Sequence, residues 1–152
     1  MEEPFFNEVR RRRPDIDLVI LPPVEPPARR ASAEDVAASV EVVDAAVAAI
    51  VPRIPGAVVA EPRWEPVSHN DVRRRAEVSA DLPDGAATLE RLRQAFAEAR
   101  WESRLEVKAF HRWTARSGDA DIVGFWSSRH GHLSITVSGR AIAARDLVQV
   151  GS

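Results

Sequence analysis

The hydrophobic pattern changes from a strand period of two to a helix period within residues 71–99, whose sequence is DVRRRAEVSADLPDGAATLERLRQAFAEA. From Val72 to Leu82, apolar and polar residues alternate, which predicts a strand with one buried face. The next residues, Pro83-Asp84-Gly85, are typical of a turn. From Leu89 to about Arg100, apolar residues recur at helical spacing with charged residues between them. The stretch therefore predicts a strand, a turn and an amphipathic helix.

The sequence that follows this helix predicts further strands. Apolar and polar residues alternate again from Leu105 to Phe110, in a second strand that ends at the turn-forming residues 116–121. Ile122–Ser128 is a third strand, and Leu133–Ser138, after a turn at residues 129–131, is a fourth. Two tight turns then join three strands into an antiparallel meander.

The clearest helical pattern lies upstream, between Val36 and Ile50. Its apolar residues are spaced by four, three, four and three positions, which predicts a helix of about five turns. Ser32 and Asp35 form a capping arrangement before it, and Pro52 ends it. We interpret this helix as packing on the core of its own domain. The alternative is that the apolar stripe of this helix binds a partner.

Residues 1–30 combine three kinds of pattern. Pro4–Arg12 is compatible with a short helix, and the β-branched run Leu18–Leu21 predicts a buried strand. Four prolines between residues 22 and 27 form a stiff, polyproline-like connector. We assign this N-terminal segment to the same domain as residues 31–152.

These patterns together predict an α+β fold: a two-layer domain with an antiparallel sheet of four or more strands and two main helices. Ala57–Ala60 is compatible with an edge strand. Prolines at positions 62 and 66 restrict the chain around Trp64 to an edge strand or a loop. The pattern of residues 140–152 does not distinguish a strand from a short helix.

Composition restricts the possible functions. The chain has 152 residues, of which 45% are hydrophobic, enough for one domain with a core. Its 21 basic and 23 acidic residues give a net charge of −2, which argues against binding nucleic acid by bulk charge. The absence of cysteine excludes thiol catalysis, disulfides and thiolate metal sites. Twenty of the basic residues are arginine, a bias typical of a GC-rich genome.

The sequence indicates neither export nor membrane insertion. Glu2, Glu3 and Pro4 precede Phe5-Phe6, and arginines follow soon after, so the start lacks the features of a secretory signal. The longest apolar segment is interrupted by charged residues and cannot supply the roughly 20 apolar residues that span a bilayer. We expect a cytoplasmic protein without membrane contact.

Catalytic and cofactor motifs are missing from the sequence. It contains no Gly-x-Gly-x-x-Gly, no phosphate-binding loop and no Gly-x-Ser-x-Gly. His130 and His132, separated by one glycine, could share a metal with His111 and an aspartate, but two histidines around a turn glycine are also common for solubility alone. We expect no bound metal, no cofactor and no enzymatic activity.

One alternative is a small-ligand or hydrolytic site at one end of the meander. A histidine needs an acceptor to fix its tautomer, and a carboxylate supplies one. The candidate residues for this site are His111, Asp119, Asp121 and His130. It would require a concave pocket that gathers at least three of these side chains.

The more informative residues lie on the polar face of the predicted sheet. If the apolar positions face a helix, several cations and aromatic side chains face the other way. The candidate interaction surface consists of Arg73, Arg75, Lys108, Phe110, Arg112 and Trp126. The orientation of the third strand is ambiguous, because Trp126 shares one face with Ile122 whereas Phe125 lies on the other.

Three interpretations of this face remain open. The helix of residues 36–50 could cover it, with the arginines around the helix edges. It could bind a protein, since Arg, Trp and Phe are enriched at interfaces. It could also stack the bases of a single-stranded nucleic acid, which the near-neutral net charge places third.

We therefore expect a non-catalytic protein-interaction module, of adaptor, chaperone or immunity type, with a protein partner or a second copy of the chain as its ligand. The position of the helix of residues 36–50 decides between the interpretations. If it lies beside the helix that begins near Leu89, the polar face is open. If it covers that face, only the strand ends remain for a ligand.

Overall fold

The structure, a computed structural model, describes residues 33–143. The helix, strand and proline connector predicted for residues 1–30 lie outside the described residues, as do residues 144–152. Whether the N-terminal segment belongs to the same domain therefore stays a prediction.

Two helices, one 3-10 turn and eight strands make up the described part of the chain. The helices are α1 (Ala33–Ile50) and α2 (Gly85–Glu98), and the 3-10 turn is Val51–Arg53. The strands are β1 (Val58–Val59), β2 (Arg63–Pro66), β3 (Asp71–Asp81), β4 (Glu102–Val107), β5 (His111–Arg116), β6 (Ala120–Ser127), β7 (His132–Gly139) and β8 (Ile142–Ala143). Within residues 33–143, neither helix is long and apolar enough to cross a membrane.

All eight strands belong to one antiparallel sheet. Its order is β1-β3-β7-β6-β5-β4, and β2 and β8 also pair with the long strand β3. The predicted α+β fold, with two helices on an antiparallel sheet of four or more strands, is confirmed. The segments around residues 57–69 and after residue 140 form the short strands β1, β2 and β8, as edge or end pieces of this sheet.

One predicted strand is in fact two. The sequence pattern after Leu105 indicated a single strand as far as the turn at residue 116, but the chain reverses at residues 108–110 and pairs β4 with β5. The Lys108 N–H donates to the Phe110 carbonyl at 3.1 Å in this turn. Val107 lies opposite His111, so odd-numbered residues face the same side of the sheet in both β4 and β5. The alternation of apolar and polar residues therefore continues through the turn, and periodicity alone does not reveal the reversal.

Both helices pack side by side on the same face of the sheet. α1 packs on β3 and β7, and α2 packs on β4, β5 and β6. Val43 and Ile50 of α1 are completely buried in the same core cluster as Leu89 and Leu92 of α2. The apolar stripe of α1 thus serves the core of its own domain, and α1 does not cover the polar face of the sheet.

Trp126 fixes the junction between β3 and α2. Its indole N–H donates to the carbonyl of Leu82 at 3.0 Å, which satisfies its one polar group inside the core. The ring lies directly against Gly85, the first residue of α2, where no side chain would fit. Asp84 caps the helix by accepting a hydrogen bond from the Ala87 N–H. The turn predicted from Pro83-Asp84-Gly85 is therefore also the place where the Trp126 ring packs against the start of α2.

We predict that Gly85→Ala destabilises the protein by roughly 1–3 kcal/mol, because a Cβ at this position overlaps the Trp126 ring. The loss occurs although alanine is the better helix former. Gly118→Ala is the matched control, since a Cβ there meets no atom within 4 Å. Urea unfolding measures both. An unchanged midpoint for Gly85→Ala would show that Trp126 is not seated on this glycine.

The end of α2 is a Schellman motif with a residue that is unusual there. Arg100 has a φ of 69°, in the left-handed region that favours glycine. Its N–H donates to the Ala97 carbonyl at 3.0 Å, and the Trp101 N–H donates to the Phe96 carbonyl at 2.9 Å. The Trp101 and Phe96 rings meet edge to face with centroids 5.0 Å apart. The hydrophobic contact that accompanies this motif is thus an aromatic pair, which holds arginine in a strained conformation.

We predict that Arg100→Gly raises the free energy of unfolding by about 0.5–1 kcal/mol, because glycine adopts a positive φ without strain. Arg100→Ala is the control, since alanine keeps the strain while it removes the charge. Thermal unfolding followed by circular dichroism compares the three proteins. A lower midpoint for Arg100→Gly than for the wild type would contradict the strain.

Candidate binding surface

The face of the sheet opposite the helices, which we call the open face, carries polar side chains in rows across the strands. In one row, Arg112 of β5 lies opposite Phe125 of β6, which lies opposite Ser134 of β7. The next rows contain Thr114, Val123, Thr136 and Glu77, and then Arg116, Asp121, Ser138 and Arg75. A groove of about 750 Å³ runs along these rows. No part of either helix covers it.

At one end of the open face, arginines and carboxylates neutralise one another. Arg75 contacts Glu65 at 2.5 Å and Glu77 at 2.9 Å, and Arg73 contacts Glu65 at 3.2 Å. Arg116 pairs with Asp121 at 3.1 Å across β5 and β6. We call this part of the open face, defined by these six residues, the ion-paired half. Its cations already have carboxylate partners.

Glu65 holds the edge strand β2 on β3. Partial burial alone would raise the pKa of this carboxyl, but hydrogen bonds from Arg75 and Arg73, with the charges of both, lower it below the ordinary glutamate value. The net shift is downward because two guanidinium groups share one carboxylate. The pairing is therefore part of the fold as well as of the surface.

At the other end, two phenylalanines are exposed next to each other. Phe110 is 44% exposed and Phe125 is 41% exposed, and their ring centroids are 5.6 Å apart. The guanidinium carbon of Arg112 lies 5.9 Å from the centroid of the Phe125 ring. A hollow of about 730 Å³ borders the two rings. We call Phe110, Arg112 and Phe125 the aromatic patch.

The cations around the aromatic patch have no carboxylate partner among residues 33–143. Among the described residues, no salt bridge within 4.0 Å involves Lys108, Arg112 or Arg129. Lys108 lies in the same turn as Phe110, and Arg129 borders the same hollow together with His130. This end of the open face thus combines exposed apolar rings with unpaired positive charge.

The structure places five of the six predicted surface residues at the polar side of the sheet and excludes the sixth. Arg73, Arg75 and Arg112 lie on the open face, and Lys108 and Phe110 lie in the turn at its end. Trp126 does not belong to the open face, because it is 5% exposed and packs in the core, although its edge borders the hollow beside the two phenylalanines. Phe125 takes its place. Trp126 faces the helices because it lies opposite the buried Leu133.

The alternative site of two histidines and two aspartates does not assemble. His111 and His130 are at one end of the meander, whereas Asp119 and Asp121 are at the other. His111 and Arg116, which pairs with Asp121, are separated by five residue steps in β5, or about 17 Å. The prediction that these residues lie at the same end of the meander is wrong, because the full length of β5 separates His111 from Asp119 and Asp121. Within residues 33–143, no cluster of three His, Asp or Glu residues could hold a metal.

The histidines near the hollow have partners in the fold. His132 Nδ1 lies 2.9 Å from an oxygen of Asp81, across β7 and β3. The ring of His111 lies 5.3 Å from that of Trp126, at the edge of the core. No nucleophilic side chain is hydrogen-bonded to either ring in the described part of the chain. Among the described residues, His132 and Asp81 are thus a histidine–carboxylate pair without a hydrogen-bonded nucleophile.

Comparison with known proteins adds a distant structural similarity. No protein-family model and no curated protein sequence matches the chain. Its fold is similar to a crystal structure of a protein described as a proposed lipoprotein, LppA, from Mycobacterium tuberculosis. The two share 10% sequence identity with a TM-score of 0.43, over 77% of this chain and 81% of the other. A similarity at this level says nothing about function.

We predict that Glu65→Gln destabilises the protein at neutral pH and that the difference from the wild type shrinks as the solution is acidified. The pKa of Glu65 is lowered in the folded state, so its carboxylate stabilises the fold above the unfolded pKa. That stabilisation is lost as the pH falls through the folded value. Denaturant unfolding from neutral into the acid range measures it, with the exposed Glu61→Gln as control. A difference that is independent of pH would contradict the ionic role of Glu65.

Proposed function

We propose that the protein is a non-catalytic binding domain that takes a protein partner on the open face of its sheet, anchored at the aromatic patch. The observation that carries this proposal is the placement of both helices on the other face of the sheet. The open face is left without cover by any described element. Two adjacent exposed phenylalanines are costly to leave in water, and such groups mark interaction sites.

The distribution of charge favours a protein over a nucleic acid. A single strand could stack a base on Phe125 and place a phosphate near Arg112. The next phosphates along the groove would meet Glu106 and Glu102 of β4, which flank the single Arg104, or the carboxylates of the ion-paired half. Because like charges repel, an extended polyanion is disfavoured on this surface, and the near-neutral net charge of the chain agrees.

The patch also indicates what a partner must contain. An apolar or aromatic side chain fits against Phe110 and Phe125, which are of the residue type that forms interface anchors. Carboxylates next to it would pair with Lys108, Arg112 and Arg129, which have no carboxylate partner in the described part of the chain. We therefore propose that the partner presents an acidic segment with at least one aromatic or large aliphatic side chain.

We predict that Phe125→Ser weakens partner binding at least tenfold, whereas Val67→Ser leaves it unchanged. Phe125 is an anchor in the patch, and Val67 is similarly exposed but lies in the loop before β3, at the far end of that strand. Partners that the wild-type protein recovers from lysate are identified and purified, and their binding to the wild type and to both variants is measured by calorimetry.

Two results would contradict the proposal. One is a purified partner that binds the wild type and Phe125→Ser equally. The other is salt-dependent binding of a single-stranded oligonucleotide, measured by fluorescence anisotropy and lost in Phe110→Ala, which would assign the same patch to nucleic acid. Circular dichroism of each variant shows whether the fold is retained, as we expect for these exposed positions.

A further inference from the structure

One segment of the sequence has side chains that complement the aromatic patch, namely carboxylates beside two phenylalanines. Residues 2–8, EEPFFNE, have three glutamates and two adjacent phenylalanines. The chain has five phenylalanines in all. Phe96 is buried in the core, and two form the exposed pair of the patch. The remaining two are Phe5 and Phe6, which are flanked by acidic residues.

We infer that residues 2–8 bind the aromatic patch of the same chain. Phe5 or Phe6 would pack against Phe110 and Phe125, where aromatic pairs are stabilised beyond the area they bury. The glutamates would face the unpaired cations Lys108, Arg112 and Arg129. The ion-paired half offers no such match, since its arginines already contact carboxylates. The charge of residues 2–8 and their two phenylalanines therefore both favour binding at the end of the open face that carries the aromatic patch.

The connection to α1 is long enough for this contact. Residues 9–32 separate the segment from Ala33, and 24 residues can span up to about 80 Å when extended. A domain of about 110 residues has a radius of gyration near 13 Å, so every part of the described surface is within reach. A tethered segment is present at an effective concentration of the order of millimolar, which favours binding within the chain over binding between chains.

The contact would have a regulatory consequence. The inference uses the surface of the proposed function but does not depend on it, because residues 2–8 could occupy the patch whether or not a partner exists. A partner that uses the patch must displace the segment. If the segment occupies the patch about nine tenths of the time, the apparent affinity of that partner is reduced about tenfold.

The absence of cysteine makes a direct test possible in the full-length chain. Asn7→Cys provides one attachment point for a nitroxide spin label, whose unpaired electron broadens the NMR signals of nearby amides. We expect the strongest broadening at the amides of Phe110, Arg112 and Phe125, and weaker broadening at Leu89 and Val43 on the helix side of the sheet. The same label in Asn7→Cys with Phe5→Ser and Phe6→Ser should lose at least half of that broadening.

A mixture of spin-labelled chain and isotope-labelled chain distinguishes contacts between molecules from contacts within one. Broadening at the patch only in this mixture would show a second copy as the occupant and overturn the inference. Uniform broadening, or broadening that is strongest at the helix face, would overturn it too. If the doubly substituted chain keeps the full effect, the phenylalanines do not anchor the segment, and the inference is equally wrong.

The outcome also separates this inference from the proposed function. If the spin label broadens the patch but a purified partner binds Phe125→Ser as well as the wild type, the patch is an internal contact and the proposed function fails alone. If the partner needs Phe125 but Phe5→Ser with Phe6→Ser leaves its affinity unchanged, the segment does not compete. In that case only the further inference fails.

Discussion

Side-by-side packing of α1 and α2 on one face of the sheet is the constraint on which the rest of the structure depends. The core forms between the helices and the inner face, where Trp113 is completely buried and Trp126 is seated on Gly85. Because both helices are used there, no described element is left to cover the outer face. The groove, the ion-paired half and the aromatic patch all follow from that single arrangement.

The sequence was sufficient for the fold class and for most elements, since each has a clear period. β3 and α2 appear in the pattern of residues 71–99 because strand and helix spacing differ. The turn at residues 108–110 could not be found in this way, because a three-residue reversal keeps the alternation of its two arms in phase. The position of α1 was equally undetermined, since an apolar stripe shows that a helix is buried but not against which face.

The candidate site was predicted in part for the same reason. Arg73, Arg75 and Arg112 alternate with buried positions, so their side of the sheet followed from periodicity. Trp126 and Phe125 are neighbours on a strand with apolar residues on both faces, and only the pairing of Trp126 with Leu133 shows which one is inside. Glu77 lies two positions after Arg75 on β3, but the other carboxylates that neutralise the arginines come from other strands, Glu65 from β2 and Asp121 from β6. Such cross-strand contacts have no signal in local spacing.

The nuclear Overhauser effects of two adjacent residues, Phe125 and Trp126, show whether the two faces of the sheet have opposite roles. We expect contacts from the Trp126 indole to Gly85, and contacts from the Phe125 ring to Phe110 and none to α1 or α2. Contacts between the Phe125 ring and Leu89 or Val43 would place Phe125 in the core, which would contradict the account.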